Sequence, residues 1–154
     1  LGYLCDSFLF YKAKRFDIKG KEYLKTLQKY YMADIGLRNA ALGFRQLEPT
    51  HSLENIIFLE LESRNYLVDI GKNENKEIDF LVRNLKDTFY VQVSYTLAGA
   101  DTLKREMGAF RNLDDGYKKI IITMDDDPYT HLERGYKKVN ALDFLLNERC
   151  LEEI

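Results

Sequence analysis

Cysteine, histidine and long apolar runs are all scarce in this sequence of 154 residues. The two cysteines, Cys5 and Cys150, lie near opposite ends without metal-site spacing, which predicts two buried or idle thiols. No apolar run approaches the roughly 18 residues of a membrane span, and the first residues lack the basic flank and cleavage site of a signal peptide. We therefore expect a cytoplasmic protein without a membrane partner.

Several common catalytic signatures are missing as well. Neither His51 nor His131 belongs to a zinc-binding pattern. No G-x-x-x-x-G-K-[ST] motif is present, so we do not expect this chain to bind ATP through a phosphate-binding loop. The G-x-S-x-G elbow of serine hydrolases is also absent.

The residues that are present indicate a folded domain with an uneven charge. Hydrophobic residues make up 45% and aromatic residues 13% of the chain, as is typical of globular proteins. The chain begins without methionine and in mid-pattern, so we expect it to be a piece of a longer protein. Residues 12–29 carry about +5, against about −7 on the remainder. This basic stretch is either a phosphate-facing surface or the solvated face of a hairpin.

Hydrophobic periodicity predicts an α/β fold. We expect strand-like segments, two helices between them and a terminal helix: a helix over 51–65, strands over 66–72, 77–84 and 88–95, a helix over 100–113, and strands over 117–125 and 135–141. Three strands in succession predict antiparallel pairing, and the helix before residue 117 permits a parallel neighbour. The sequence therefore predicts a mixed central sheet flanked by helices.

The second and third strands of this series carry polar residues at alternate positions. Side chains alternate along a strand, so Glu77 and Asp79 are predicted on one face and Ile78 and Phe80 on the other. On the next strand, Gln92 and Ser94 are predicted to share one face. If Asp79 and Gln92 meet on one side, their oxygens form a pocket of the kind that Mg²⁺ prefers.

The order of these polar residues resembles a known nuclease pattern. A glutamate on a helix (Glu54), an aspartate on a strand and a (Glu/Gln)-x-Lys on the next strand are typical of the restriction-endonuclease-like PD-(D/E)xK superfamily. The stretches KYYMADIGLRN, ENIIFLELESRNY, KEIDFLV, YVQVSYTL, YKKIIITMD and NALDFLL more closely resemble the carboxy-terminal domain of unknown function 4143 of prokaryotic AAA-type ATPases. This resemblance covers about residues 30–154.

The resemblance implies a division of the chain and a set of partners. Residues 30–154 would form a nuclease-like domain with a restriction-endonuclease-like core. Residues 1–29 would be the end of a winged helix, namely its last helix and its wing hairpin, and an ATPase module upstream would bind ATP. The wing would contact nucleic acid through its basic residues Lys12, Lys14, Arg15, Lys19 and Lys21.

The same resemblance implies a degenerate catalytic site. Its residues would be Glu54, Asp79, Gln92 and Ser94, with the first three as ligands of a weakly held Mg²⁺. Ser94 stands where the superfamily has a lysine, and a hydroxyl cannot stabilise negative charge as an ammonium does. Lys72 or Lys76 either reaches in as a displaced lysine or stays in solvent.

We therefore expect a catalytically impaired domain that binds DNA or a partner protein for its ATPase. Two alternatives stay open: an active Mg²⁺-dependent nuclease, and a domain that mediates homo-oligomerisation of the ATPase. Structural roles compete with the site residues as well. Glu54 would then be a first-turn carboxylate favoured by the helix dipole, Asp79 would bond a neighbouring turn, and Gln92 and Ser94 would form a polar row on the sheet.

Overall fold

Helices and short strands alternate along the chain in the computed structural model, which describes residues 2–25, 28–44, 48–127 and 130–154. The helices are α1 (Gly2–Asp6), α2 (Ile35–Ala41), α3 (Pro49–Ser63), α4 (Ala100–Ala109), α5 (Ala141–Leu146) and α6 (Cys150–Glu153). The strands are β1 (Phe10–Ala13), β2 (Arg15–Asp17), β3 (Glu22–Tyr23), β4 (Lys29–Met32), β5 (Leu67–Asn73), β6 (Lys76–Arg83), β7 (Thr88–Ser94), β8 (Lys118–Thr123) and β9 (Lys137–Asn140). No helix in these ranges combines the length and the apolar character that a membrane span requires.

Within the described ranges, seven strands form a central mixed sheet in the order β3-β2-β5-β6-β7-β8-β9. Strands β5, β6 and β7 form an antiparallel meander. Strand β8 then lies parallel to β7, because α4 carries the chain back to the same end of the sheet. The predicted mixed sheet flanked by helices is thus confirmed.

Both faces of this sheet are buried, as the apolar run in β8 predicts. Ile120 and Ile122 belong to the hydrophobic cluster under α3, whereas Ile121 belongs to the cluster under α4. Each fully buried side chain of this size contributes about 1.5–3 kcal/mol. Helices α3 and α4 are therefore packed on opposite faces of the sheet.

The predicted basic hairpin forms one edge of the central sheet. Strands β2 and β3 pair across a turn in which Asp17 Oδ1 accepts the N–H groups of Lys19 (3.0 Å) and Gly20 (2.9 Å). Strand β2 also pairs in parallel with β5. The return strand is Glu22–Tyr23, and residues 26 and 27 lie outside the described part. The predicted division at residue 29 stays a prediction.

Strand β4 pairs with β1 in a separate two-stranded sheet, which is attached to helix α3. The Asn55 side chain accepts the N–H of Met32 (3.0 Å) and donates to its carbonyl (2.8 Å). The ring of Tyr31 stacks on Phe58 with 4.0 Å between centroids. These contacts set the position of β4 relative to α3.

Replacing Asn55 by alanine tests this attachment. We expect Asn55→Ala to lower the free energy of unfolding by about 1–3 kcal/mol, because the two polar groups of Met32 lose their partner. Urea unfolding followed by circular dichroism measures the change. Ile56→Ala, at an exposed position of the same helix, is the control and should cost less. Equal losses in the two variants would contradict the attachment.

Candidate functional site

A β-bulge in β6 determines where Asp79 points. Strand β6 has one residue more than β5 where the two pair around Ile70, so Asp79 and Phe80 together oppose that residue. The bulge interrupts the alternation of side chains. Ile78 consequently lies in the cluster under α4 and Phe80 in the cluster under α3. The prediction that Ile78 and Phe80 share one face was therefore wrong.

Strands β6 and β7 separate next to this bulge. Their pairing ends at Phe80 and Val91, and side chains then replace the backbone hydrogen bonds. The Asp79 N–H donates to Gln92 Oε1 (2.8 Å), and the Val93 N–H donates to Asp79 Oδ2 (2.8 Å). Asp79 and Gln92 thus meet at the fork between the strands, and both hold the fork together.

The other end of the Gln92 amide is engaged on the α4 side of the sheet. Its Nε2 donates to Glu106 Oε2 over 2.8 Å. Glu106 is buried and also accepts the guanidinium of Arg105, at 2.8 Å from Nη2. The sequence interpretation did not include Glu106. Its position three residues before Ala109, on the buried side of an amphipathic helix, is the signal that could have identified it.

Glu54 is buried on the opposite side of the fork, where α3 meets β4. Its Oε1 accepts the Tyr31 hydroxyl and the Lys29 ammonium, each at 2.6 Å. Tyr31 and Lys29 are two residues apart, so both point to the same face of β4. Glu54 lies in the second turn of α3, beyond the first-turn position favoured by the helix dipole, so that alternative was wrong.

Lys29 stands between two carboxylates. Its Nζ lies 2.6 Å from Glu54 Oε1 and 3.4 Å from Glu77 Oε1. Burial opposes its charge, yet the carboxylates of Glu54, Asp79 and Glu77 together raise its pKa. The second oxygen of Glu77 contacts the guanidinium of Arg15. Two cations from β2 and β4 therefore face this group of acids.

Asp79 is the member of the group that resists ionisation. Burial, followed by the negative charge of Glu54, raises the pKa of the Asp79 carboxyl to about 8, against the opposing effects of the Val93 N–H and Lys29. This carboxyl therefore ionises at a higher pH than an ordinary aspartate does. Ionisation of Asp79 therefore lowers the stability of the folded protein.

Glu54, Asp79 and Gln92 line one cleft of about 400 Å³ at the end of the sheet. Lys29, Lys76, Glu77, Arg105 and Glu106 line it as well. Ser94 does not, because its buried hydroxyl donates to the Thr96 carbonyl over 3.0 Å. The structure thus brings together three of the four predicted catalytic residues. Of the two lysines considered as displaced substitutes, Lys76 lines the cleft and the exposed Lys72 does not.

As arranged here, the predicted metal ligands do not fit Mg²⁺. Glu54 holds an ammonium and a hydroxyl, and Asp79 and Gln92 accept backbone N–H groups through one oxygen each. Across the part of the chain that the structure describes, no three His, Cys, Asp or Glu side chains are placed to share a metal ion. The assignment of Glu54, Asp79 and Gln92 as metal ligands stays a prediction.

The basic residues predicted to contact nucleic acid divide into two groups. Arg15 forms its ion pair with Glu77, and Lys19 forms one with Glu74. The remaining three side chains are exposed: Lys12, Lys14 and Lys21.

A second concavity of about 610 Å³ lies between the basic hairpin and the segment after α4. Lys19 and Lys21 line it together with Asp114 and Asp115. Charges of both signs meet in this concavity. It is therefore less suited to bind a polyanion than the surface around the exposed Lys12 and Lys14.

Comparisons with known proteins give relatives but no functional name. The chain is 42% identical to an "Uncharacterized protein" of Haemophilus influenzae over 146 residues, which are 95% of this chain and 36% of that relative. It is 29% identical to "Uncharacterized protein MJ1544" of Methanocaldococcus jannaschii over 153 residues, covering 93% of this chain and 32% of that relative. The chain therefore spans about a third of each relative. No family model and no solved structure matches it.

Asp79→Asn tests the cost of the buried carboxyl. The folded-state pKa lies above the unfolded value of 3.8, so wild-type stability falls as the pH rises from about 4 to about 8. Asparagine is neutral throughout and keeps an oxygen for the Val93 N–H. We expect the variant to be more stable than the wild type at pH 8 by about 1 kcal/mol or more, and by less at pH 5.

Urea unfolding at the two pH values measures this difference. Asp126→Asn, at an exposed position, serves as the control for general charge effects. A constant difference between Asp79→Asn and the wild type at both pH values would contradict the raised pKa of Asp79.

Proposed function

We propose that this chain is a nuclease-like domain, with a restriction-endonuclease-like core, that binds nucleic acid without cleaving it. The order of helix and strands supports this core, as does the meeting of Asp79 and Gln92 at the fork between β6 and β7. One observation carries the loss of cleavage: each predicted metal ligand already accepts protein donors through one of its oxygens. Glu54 is the clearest case, with Tyr31 and Lys29 on one oxygen.

The position of Ser94 supports the same proposal. A nuclease of this kind needs a cation near the attacked phosphate to stabilise the developing charge. Ser94 has no charge, and its hydroxyl is directed to the Thr96 carbonyl instead of the cleft. Gln92 also contributes no charge, since both ends of its amide are used within the protein.

Binding of nucleic acid would use the exposed lysines near the amino-terminal end. Lys12 and Lys14 lie on and just after β1, and Lys21 lies in the hairpin turn. Each lysine that neutralises a phosphate releases a counterion, so such binding weakens steeply with salt. Arg15 and Lys19 contribute less in this proposal, because carboxylates already neutralise them.

We further propose that the domain serves a longer ATPase. The resemblance to the carboxy-terminal domain of AAA-type ATPases supports this assignment. The relatives also leave about two thirds of their length for other modules. ATP would be bound by such a module, because the sequence of this chain has no phosphate-binding loop motif.

The triple variant Lys12→Ala/Lys14→Ala/Lys21→Ala tests nucleic-acid binding. We expect at least tenfold weaker binding of a labelled DNA duplex at 100 mM salt, measured by fluorescence anisotropy. The slope of log affinity against log salt should also become shallower by about 2 to 3, because up to three phosphate contacts are lost.

The matched control removes three exposed cations elsewhere, in Lys86→Ala/Lys104→Ala/Arg111→Ala. It changes the net charge equally and should bind DNA nearly as the wild type does. If both variants bind DNA equally weakly, the loss of affinity comes from the change in net charge and not from these particular lysines. Absence of any salt-dependent binding by the wild type would refute the proposed binding function.

An active nuclease is the second candidate, favoured by the shared cleft of Glu54 and Asp79 with an ammonium beside them. We expect no cleavage of supercoiled plasmid in Mn²⁺ above the level given by Asp79→Ala. Agarose-gel analysis with equal protein preparations provides the comparison. If the wild type cleaves the plasmid and Asp79→Ala does not, the chain is an active nuclease and the proposal of binding without cleavage is wrong.

A further inference from the structure

The acids of the cleft surround a cation that the protein itself supplies. The Lys29 ammonium lies within hydrogen-bonding distance of Glu54 Oε1, at 2.6 Å, and 3.4 Å from Glu77 Oε1. Asp79 lines the same cleft, and its carboxylate adds to the negative field on the ammonium when it is ionised. These three acids come from α3 and β6, whereas the ammonium comes from β4, outside the nuclease-like motif.

The ammonium is held by ordered structure on several sides. Tyr31, two residues further along β4, stacks on Phe58 and donates to the same Glu54 oxygen. Asn55, next to Glu54 on α3, binds the backbone of the following residue of β4 through both ends of its amide. The lysine is therefore presented by a strand that is fixed at two adjacent positions, and its side chain is only 30% exposed.

We infer that the Lys29 ammonium is the resident cation of this cleft and excludes a divalent metal from it. This inference rests on the proposed nuclease-like character of the cleft and explains why its acids do not fit Mg²⁺ as arranged. The ammonium, together with the Tyr31 hydroxyl, occupies one oxygen of Glu54, and its positive charge repels a second cation. Lys29 thus stabilises the acids in the way a metal would, without a metal's exchangeable water.

Lys29→Met tests the inference, because methionine keeps much of the side-chain volume and removes the charge. We expect the variant to bind Mn²⁺ at least tenfold more tightly than the wild type in isothermal titration calorimetry. Mn²⁺ should also raise its melting temperature, while the wild type shows little change. Lys29→Gln, which keeps a donor for Glu54 without the charge, should show a smaller gain of the same sign and serves if the methionine variant folds poorly.

Lys76→Met is the matched control, since it removes an exposed ammonium that lines the same cleft. It should gain no Mn²⁺ affinity. Adding Glu77→Gln to Lys29→Met should reduce the gain, because a carboxylate that Lys29 contacts in the same cleft is lost.

Two results would overturn the inference: no gain in Mn²⁺ affinity over the wild type in either Lys29 variant, or an equal gain in Lys76→Met. If neither Lys29 variant folds, the wild-type titration still tests the inference, because tight Mn²⁺ binding by the wild type refutes exclusion. None of these measurements uses DNA. They therefore stay informative if the chain fails to bind nucleic acid.

Discussion

The buried carboxylate of Glu54 is the constraint on which the cleft depends. A charge removed from water is costly unless it is paired and hydrogen-bonded, and Glu54 is both. Its donors, the Tyr31 hydroxyl and the Lys29 ammonium, come from one face of β4. Satisfying this single carboxylate therefore ties α3 to a strand outside the central sheet. That strand forms one wall of the cleft, so the fold and the electrostatics of the site have the same origin.

Charges of opposite sign alternate along one side of the cleft. Arg15 pairs with Glu77, and Lys29 lies between Glu77 and Glu54. Asp79 is stabilised differently, by the Val93 N–H at the fork between strands. Burial, and after it the negative charge of Glu54, raise the pKa of Asp79. A carboxyl that prefers to stay protonated is a poor ligand for a hard cation, which supports a binding role over a catalytic one.

Local patterns were sufficient to predict the central sheet but insufficient for the details of the cleft. The antiparallel meander and the buried run in β8 follow from periodicity and from the order of elements. The bulge at Asp79 does not, because an extra residue in one strand is defined only by its pairing with another. The role of Lys29 was equally hidden, since it requires β4 to dock on a helix that begins about twenty residues later. Long-range packing, which no local period encodes, produced both features.

The side of the sheet from which the Lys29 ammonium reaches the cleft limits its chemical role. Gln92 reaches Glu106 on the α4 side, and Ser94, two residues further along β7, belongs to the same side of the strand. A lysine at position 94 would therefore start from the α4 side of the sheet. Lys29 enters from the α3 side and ends on Glu54. A cation held there neutralises a buried acid but is committed to it, so it is not free to stabilise charge on a reacting phosphate. Under the proposed nuclease-like character of the cleft, Lys29 would therefore balance the charge of the acids without supplying the catalytic cation that position 94 lacks.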